Sequence, residues 1–228
     1  MSTPNFQSVL IVAAHPDDEV LGCGGTAARH VAEGSSVAVQ FLSDGETARG
    51  SHLASKVQSR KDAARQACSA LGIDQIRFGD FSDNQLDSIP MLQVVQVIET
   101  AISKYQPDLV YTHHRGDVNI DHEIANRAVL TACRPLPNSS VTCIRAFEVL
   151  SSTEWATASF TPSFQPNLYV DISKHLSRKL AVMQHYADEL RPFPHSRSTE
   201  GIEALARYRG ISAGVAAAEA FFVEREII

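Results

Sequence analysis

The feature that most constrains this chain is an apolar run ending in a cluster of charge. Val9-Leu10-Ile11-Val12-Ala13 leads into Ala14-His15-Pro16-Asp17-Asp18-Glu19, then Leu21-Gly22-Cys23-Gly24-Gly25. An unbroken aliphatic run of this length is the pattern of a strand buried on both faces, as in parallel sheets covered by helices. An imidazole and consecutive carboxylates at the end of such a strand must be paired or bound to something, because burying them bare is costly. In open α/β sheets the carboxyl edge is where ligands sit.

The first two-thirds of the chain repeats this alternation of strand and helix. Strands are predicted over residues 8–14, 37–42, 76–78 and 108–112, with helices after the Asp pair to Gly34, over 53–71, and from Pro90 to Tyr105. Met91, Val94, Val95, Ile98, Ala101, Ile102 and Tyr105 fall on one helical face. A further helix is predicted over 121–133, strands over 146–150 and 168–172, and helices over 174–190 and 203–222. The expected fold is α/β, a Rossmann-like and mostly parallel sheet flanked by helices, with residues 1–228 as a single domain.

Charge and cysteine usage narrow the function classes. Twenty Lys and Arg against 26 Asp and Glu give a formal charge of -6, which argues against a nucleic-acid partner. The four cysteines, Cys23, Cys68, Cys133 and Cys143, form no CxxC pair, which favours a reducing compartment and a cytoplasmic location. No basic leader with an apolar segment opens the chain, and its apolar runs are too short to span a membrane.

His15 and Asp18 offer a nitrogen and an oxygen, a ligand pair that zinc accepts, and Asp17 is left over as a general base. A second stretch rich in imidazole and carboxylate, His113-His114-Arg115-Gly116-Asp117-Val118-Asn119-Ile120-Asp121-His122, follows the strand at 108–112. Loops on the same edge of one parallel sheet can converge, so His122 is the candidate third ligand, with Asp121 ordering the loop or a neighbouring imidazole. Zn2+ suits two imidazoles and a carboxylate, and Fe2+ suits them too. The plainer reading makes the Asp pair a helix cap. That accounts for one carboxylate, but not for His15 or the second stretch.

These residues resemble the PIG-L/LmbE-type family of zinc-dependent N-deacetylases. The opening His-Pro-Asp-Asp-Glu with its glycines matches the family signature, as does the Asp-His ending at His122. The resemblance extends over Ser43-Asp44-Gly45-Glu46, the 60–72 helix, Asp83-Asn84, Pro194-His195-Ser196-Arg197-Ser198 and Ala218-Glu219-Ala220-Phe221. It implies His15, Asp18 and His122 as metal ligands and Asp17 as base, acting on an acetamido sugar or its conjugate. Many members carry a His three residues before the last ligand, to polarise the carbonyl; this chain has Asn119 there. An amide can donate to an oxyanion but cannot act as an acid. Either Asn119 does a reduced job, or His113 or His114 supplies the imidazole, or turnover is weakened.

Other residues carry two readings each. Arg49 and Arg60 either grip a phosphate or carboxylate, as on a sugar nucleotide, or are solvated helix charges. Asp44 either bonds sugar hydroxyls or caps a turn. His195 either approaches the site or fills space between prolines. Cys23 reads as a small buried hydrophobe, and its glycines lack the spacing of a dinucleotide loop. The expected partner is a small amino-sugar conjugate, with room for a homo-oligomer. Two rival readings remain: a metal-containing sugar-binding or regulatory protein, and a zinc amidohydrolase for a non-sugar amide.

Overall fold

The computed structural model describes residues 6–49, 54–159 and 162–228, with Arg49 by its backbone alone. Its strands are β1 (Ser8–Ala13), β2 (Ser36–Ser43), β3 (Gln75–Phe81), β4 (Leu109–His113), β5 (Cys143–Phe147), β6 (Leu168–Asp171) and β7 (Ala218–Glu226). They join one sheet in the order β3-β2-β1-β4-β5-β7-β6. The first five run parallel, and β7 lies antiparallel to both β5 and β6. The sheet is therefore mixed, with a Rossmann-like parallel half. The helices are α1 (Asp18–Ala32), α2 (Ala54–Leu71), α3 (Met91–Tyr105), α4 (Ile120–Ala132), α5 (Leu176–Met183) and α6 (Thr199–Ala213).

The alternation of side chains along β1 divides the core in two. Val9, Ile11 and Ala13 face one cluster with Val20 and Leu21 of α1, Ala64 and Leu71 of α2, and Val182 of α5. Leu10, Val12 and Ala14 face the other, with Val94 and Ile98 of α3 and Ile124 and Ala128 of α4. Helices on both faces leave the carboxyl edge of the parallel strands as the place where loops gather.

The glycine run has a packing role. Gly22 lies so close to the ring of Phe147 on β5 that a Cβ there would overlap the ring. Gly22→Ala is expected to destabilise the fold by about 1–3 kcal/mol through overpacking, read as a lower urea midpoint. Helix α1 breaks immediately afterwards, at Cys23, whose φ of -147° is not helical. The break leaves backbone groups without helical partners, and a buried ion pair takes them. Glu219 of β7 accepts from the Gly25 and Thr26 N–H groups at 2.9 and 2.6 Å. Lys179 of α5 donates to the Leu21 carbonyl at 2.8 Å and to Glu219 at 2.6 Å.

Two expectations are corrected here. The helix expected over 203–222 stops at Ala213, where Gly214 adopts a left-handed φ of 74°, and Ala218–Glu226 is strand β7. Alanine-rich sequence favours helix locally, but a slot beside β5 and burial of Ala218, Ala220 and Phe221 override that preference. The helix expected over 174–190 ends at Met183 and continues as a looser 3₁₀ stretch over Gln184–Glu189.

Candidate active site

The carboxyl end of β1 delivers His15, Asp17 and Asp18, and the end of β4 delivers Asp117, Asn119, Asp121 and His122. The backbone at Asp17 takes a φ of 126°, a strained conformation for a residue with a side chain. That turn aims Asp17 and Asp18 differently. Asp18 goes inward: its Oδ2 lies 3.1 Å from His15 Nδ1 and 3.4 Å from His122 Nε2. All three residues are buried.

Several features fit this trio to a divalent metal. Asp18 Oδ1 and His122 Nε2 are buried and make no hydrogen bond, so each has a ligand atom unspent. The outer nitrogen of each imidazole meets carboxylates. His15 Nε2 is 3.1 Å from both Asp121 Oδ2 and Asp83 Oδ1, and His122 Nδ1 is 3.0 Å from Asp117 Oδ2. Carboxylates behind ligating imidazoles fix ring orientation and tautomer. The cluster also attracts positive charge. Burial opposes a charge on His122, but the Asp18 and Asp117 carboxylates outweigh it and hold that imidazole at about 9. His15, Asp83 and Asp121 form a second grouping of ligand type. Asp121 is already spent there, accepting from the Asn84 and Leu86 N–H groups at 2.8 and 3.0 Å. The first grouping is the better metal site.

Asp17 faces a cavity of about 470 Å³ whose lining includes His15, Arg60, Asp83, Asn119, His195 and Arg197. Its Oδ2 is 3.0 Å from Arg197 Nη1 and 3.3 Å from Arg60 Nη2. Burial pushes its carboxyl up to about 6, with Arg197 and Arg60 pulling against that rise. Glu189 holds both guanidiniums from the other side, at 2.7 Å from Arg60 and 3.3 Å from Arg197. Next in the chain, Glu19 is buried and pushed up to about 8, accepts from Tyr186 Oη at 2.6 Å, and accepts from the Asp17 N–H at 3.0 Å. It braces the strained turn.

The candidates for the oxyanion position separate. Asn119 lines the cavity; its Oδ1 accepts from the Asp121 N–H at 2.9 Å as the cap of α4. His113 is fully buried, and its Nε2 accepts the Ala14 N–H at 2.9 Å, which makes the ring neutral. It stacks on His122 with centroids 4.0 Å apart, so it buttresses that imidazole. His114 is placed elsewhere, with Nε2 3.2 Å from the Pro162 carbonyl and its ring against Phe164 and Phe222. Neither imidazole lines the cavity, because β4 ends by turning both toward packed neighbours.

Arg60 and His195 reach the cavity, whereas Asp44 does not. Asp44 caps its own turn, accepting from the Glu46 and Thr47 N–H groups at 2.9 and 3.1 Å, while Glu46 faces the cavity. The side chain of Arg49 lies outside the described residues. Sequence reasoning passed over Asp117, Glu189 and Trp155. Asp117 stands five residues before His122, a spacing that could have marked it. Glu189 and Trp155 carry no local signal.

With this geometry in place, comparisons with known proteins decide the family. The PIG-L family profile, described as GlcNAc-PI de-N-acetylase, matches residues 10–133, the stretch that holds His15, Asp18 and His122. The chain belongs to the PIG-L family. A Bacillus cereus relative named a probable N-acetyl-alpha-D-glucosaminyl L-malate deacetylase 2 is 27% identical over 182 residues, covering 77% of this chain and 80% of that protein. The N,N'-diacetylchitobiose deacetylase of Pyrococcus horikoshii superposes with a TM-score of 0.78 at 21% identity, over 96% of this chain and 84% of the other. The 4-carboxy-2-hydroxymuconate hydratase GalB of Pseudomonas putida KT2440 superposes with a TM-score of 0.75 at 24% identity, over 97% and 98%. Both structures share the fold of this PIG-L member. Relatives that match the chain over most of its length are named deacetylases. No helix among the described residues is long and apolar enough to cross a membrane.

Proposed function

We propose that this PIG-L member removes the N-acetyl group of an amino sugar or its conjugate by metal-assisted hydrolysis. The observation that carries the reading is Asp17: a cavity-facing carboxylate, next to the buried His15, Asp18 and His122 trio and aimed by two guanidiniums. His15, Asp18 and His122 would hold a divalent cation, with Zn2+ the best match to two nitrogens and one oxygen and Fe2+ the second. When bound, that cation supplies Lewis-acid polarisation of the acetamide and activation of water.

The chain supplies the rest. Asp17 accepts the proton of the attacking water and returns it to the departing amine, a cycle suited to a carboxyl already raised by burial. Arg60 and Arg197 keep its Oδ2 in place, and Glu189 keeps them from swinging away. Asn119 presents an amide to the oxyanion, where a donor fixed in advance contributes without reorganisation. Asp117 and Asp121 hold the ligand rings in register. The four described thiols are all unpaired, in keeping with a reducing cytoplasmic setting.

Metal content measured together with acetate release tests this, using N-acetylglucosamine, its disaccharide and its UDP conjugate as substrates. One metal per chain with acetate released is the expected result. A metal-loaded chain that releases acetate from none of them refutes it. His122→Ala is expected to lose the metal on dialysis. Asp117→Ala is expected to weaken metal binding by about 10- to 100-fold, read by competition with a chelator. A second reading, a sugar-binding protein without turnover, is favoured by Asn119; activity that appears only on Asn119→His would establish it.

A further inference from the structure

Trp155 is the sole tryptophan of the chain, and it is 53% exposed at the wall of the active-site cavity. Leaving a large aromatic surface in water forgoes a sizeable burial gain. Mere surface looseness does not explain it, because the segment that presents this ring is tightly built. The Ser151 and Ser152 N–H groups donate to Glu154 at 2.6 and 3.1 Å, and the Val149 N–H donates to Thr153 Oγ1 at 2.8 Å.

That segment is tied directly to the metal trio. Asp117, whose Oδ2 meets His122 Nδ1, also accepts from Thr153 Oγ1 at 2.7 Å and from Ser152 Oγ. One carboxylate thus sets the orientation of a candidate ligand and the placement of the loop ending in Trp155. His195 also meets the indole edge to face, with centroids 5.9 Å apart. Its Nδ1 accepts the Arg197 N–H at 3.0 Å, so the remaining Nε2–H is a hydrogen-bond donor in the cavity lining. A fixed aromatic face beside a polar donor, at the edge of a site for one sugar, is the chemistry of a second pyranose ring. Such a ring offers apolar C–H bonds to an aromatic face and hydroxyls to donors.

We propose that Trp155 is the stacking platform for a second sugar ring joined to the amino sugar, with His195 bonding one of its hydroxyls. This deepens, and rests on, the deacetylase reading above. The preferred substrate is therefore an N-acetylated disaccharide or longer glycoside rather than the free monosaccharide.

With one tryptophan, intrinsic fluorescence reports on this ring alone. The zinc-loaded Asp17→Asn protein, expected to turn substrate over at least about a hundredfold more slowly, is titrated with N,N′-diacetylchitobiose and separately with N-acetylglucosamine. The disaccharide is expected to shift or quench the emission, and the monosaccharide to leave it unchanged. In the parent enzyme Trp155→Ala should raise the KM for the disaccharide roughly tenfold, equivalent to about 1.4 kcal/mol, with kcat within about twofold. Trp155→Phe should restore most of the loss, and the KM for N-acetylglucosamine should not move. Equal emission changes with both sugars, or equal KM changes, would overturn the platform. Should neither sugar release acetate, the deacetylase reading fails by itself. The fluorescence titration still decides the platform: a response to the disaccharide alone supports it, and silence with both removes it.

Discussion

Replacing Asp17 with Asn is expected to lower kcat by about 10²- to 10⁴-fold while leaving one metal per chain, the loss typical of a missing general base. The change is nearly isosteric, so Arg60 and Arg197 keep an oxygen to bond, and the trio of His15, Asp18 and His122 is untouched. KM should change little, because proton transfer matters at the transition state and not in ground-state binding. The pH profile adds a second readout. A base works unprotonated, so kcat/KM should fall as the pH drops through the Asp17 value. Burial places that value at about 6 in the chain alone, and a neighbouring cation moves it lower. The acid limb of the parent enzyme should therefore lie below about 6, and should vanish from the residual activity of Asp17→Asn. Parent-like turnover in that variant would remove the base assignment.

Glu219→Ala is expected to be the most damaging single change to stability, at about 3–5 kcal/mol. Removing this carboxylate strands the Lys179 ammonium, which is 4% exposed, and leaves the Gly25 and Thr26 N–H groups without acceptors. Lys179→Met should cost less, because Glu219 keeps both backbone donors at the break in α1. The order of the two urea midpoints checks the account. A smaller loss for Glu219→Ala than for Lys179→Met would mean that the ion pair, and not the capping of the broken helix, dominates. The break matters beyond stability, since the short first segment of α1 carries Asp18 to its place beside His15 and His122.

Parts of the site were legible in the chain because they are contiguous. A β-strand followed by His-Pro-Asp-Asp keeps His15, Asp17 and Asp18 together whatever the rest of the fold does. The stretch from His113 to His122 does the same at the end of β4. The parallel half of the sheet follows from the same locality, since each aliphatic run is followed by a helical pattern of fitting length. Which of His113, His114 and Asn119 lines the cavity was not local. It turned on the Ala14 N–H that occupies His113 and the Pro162 carbonyl that meets His114, partners 99 and 48 residues away in sequence.

What the sequence by itself determined is the chemistry available: two imidazoles and a carboxylate of metal-ligand type, with a spare carboxylate, at strand ends. What only the tertiary structure decided is their use. Arg197 reaches Asp17 across 180 residues, and Trp155 is brought to the cavity by a loop anchored on Asp117. Strand β7 exists because a slot beside β5 pays more in burial and ladder hydrogen bonds than a helix would return. The physical reason is common to all three: local sequence sets preferences of a fraction of a kcal/mol per residue, and buried long-range contacts outweigh them.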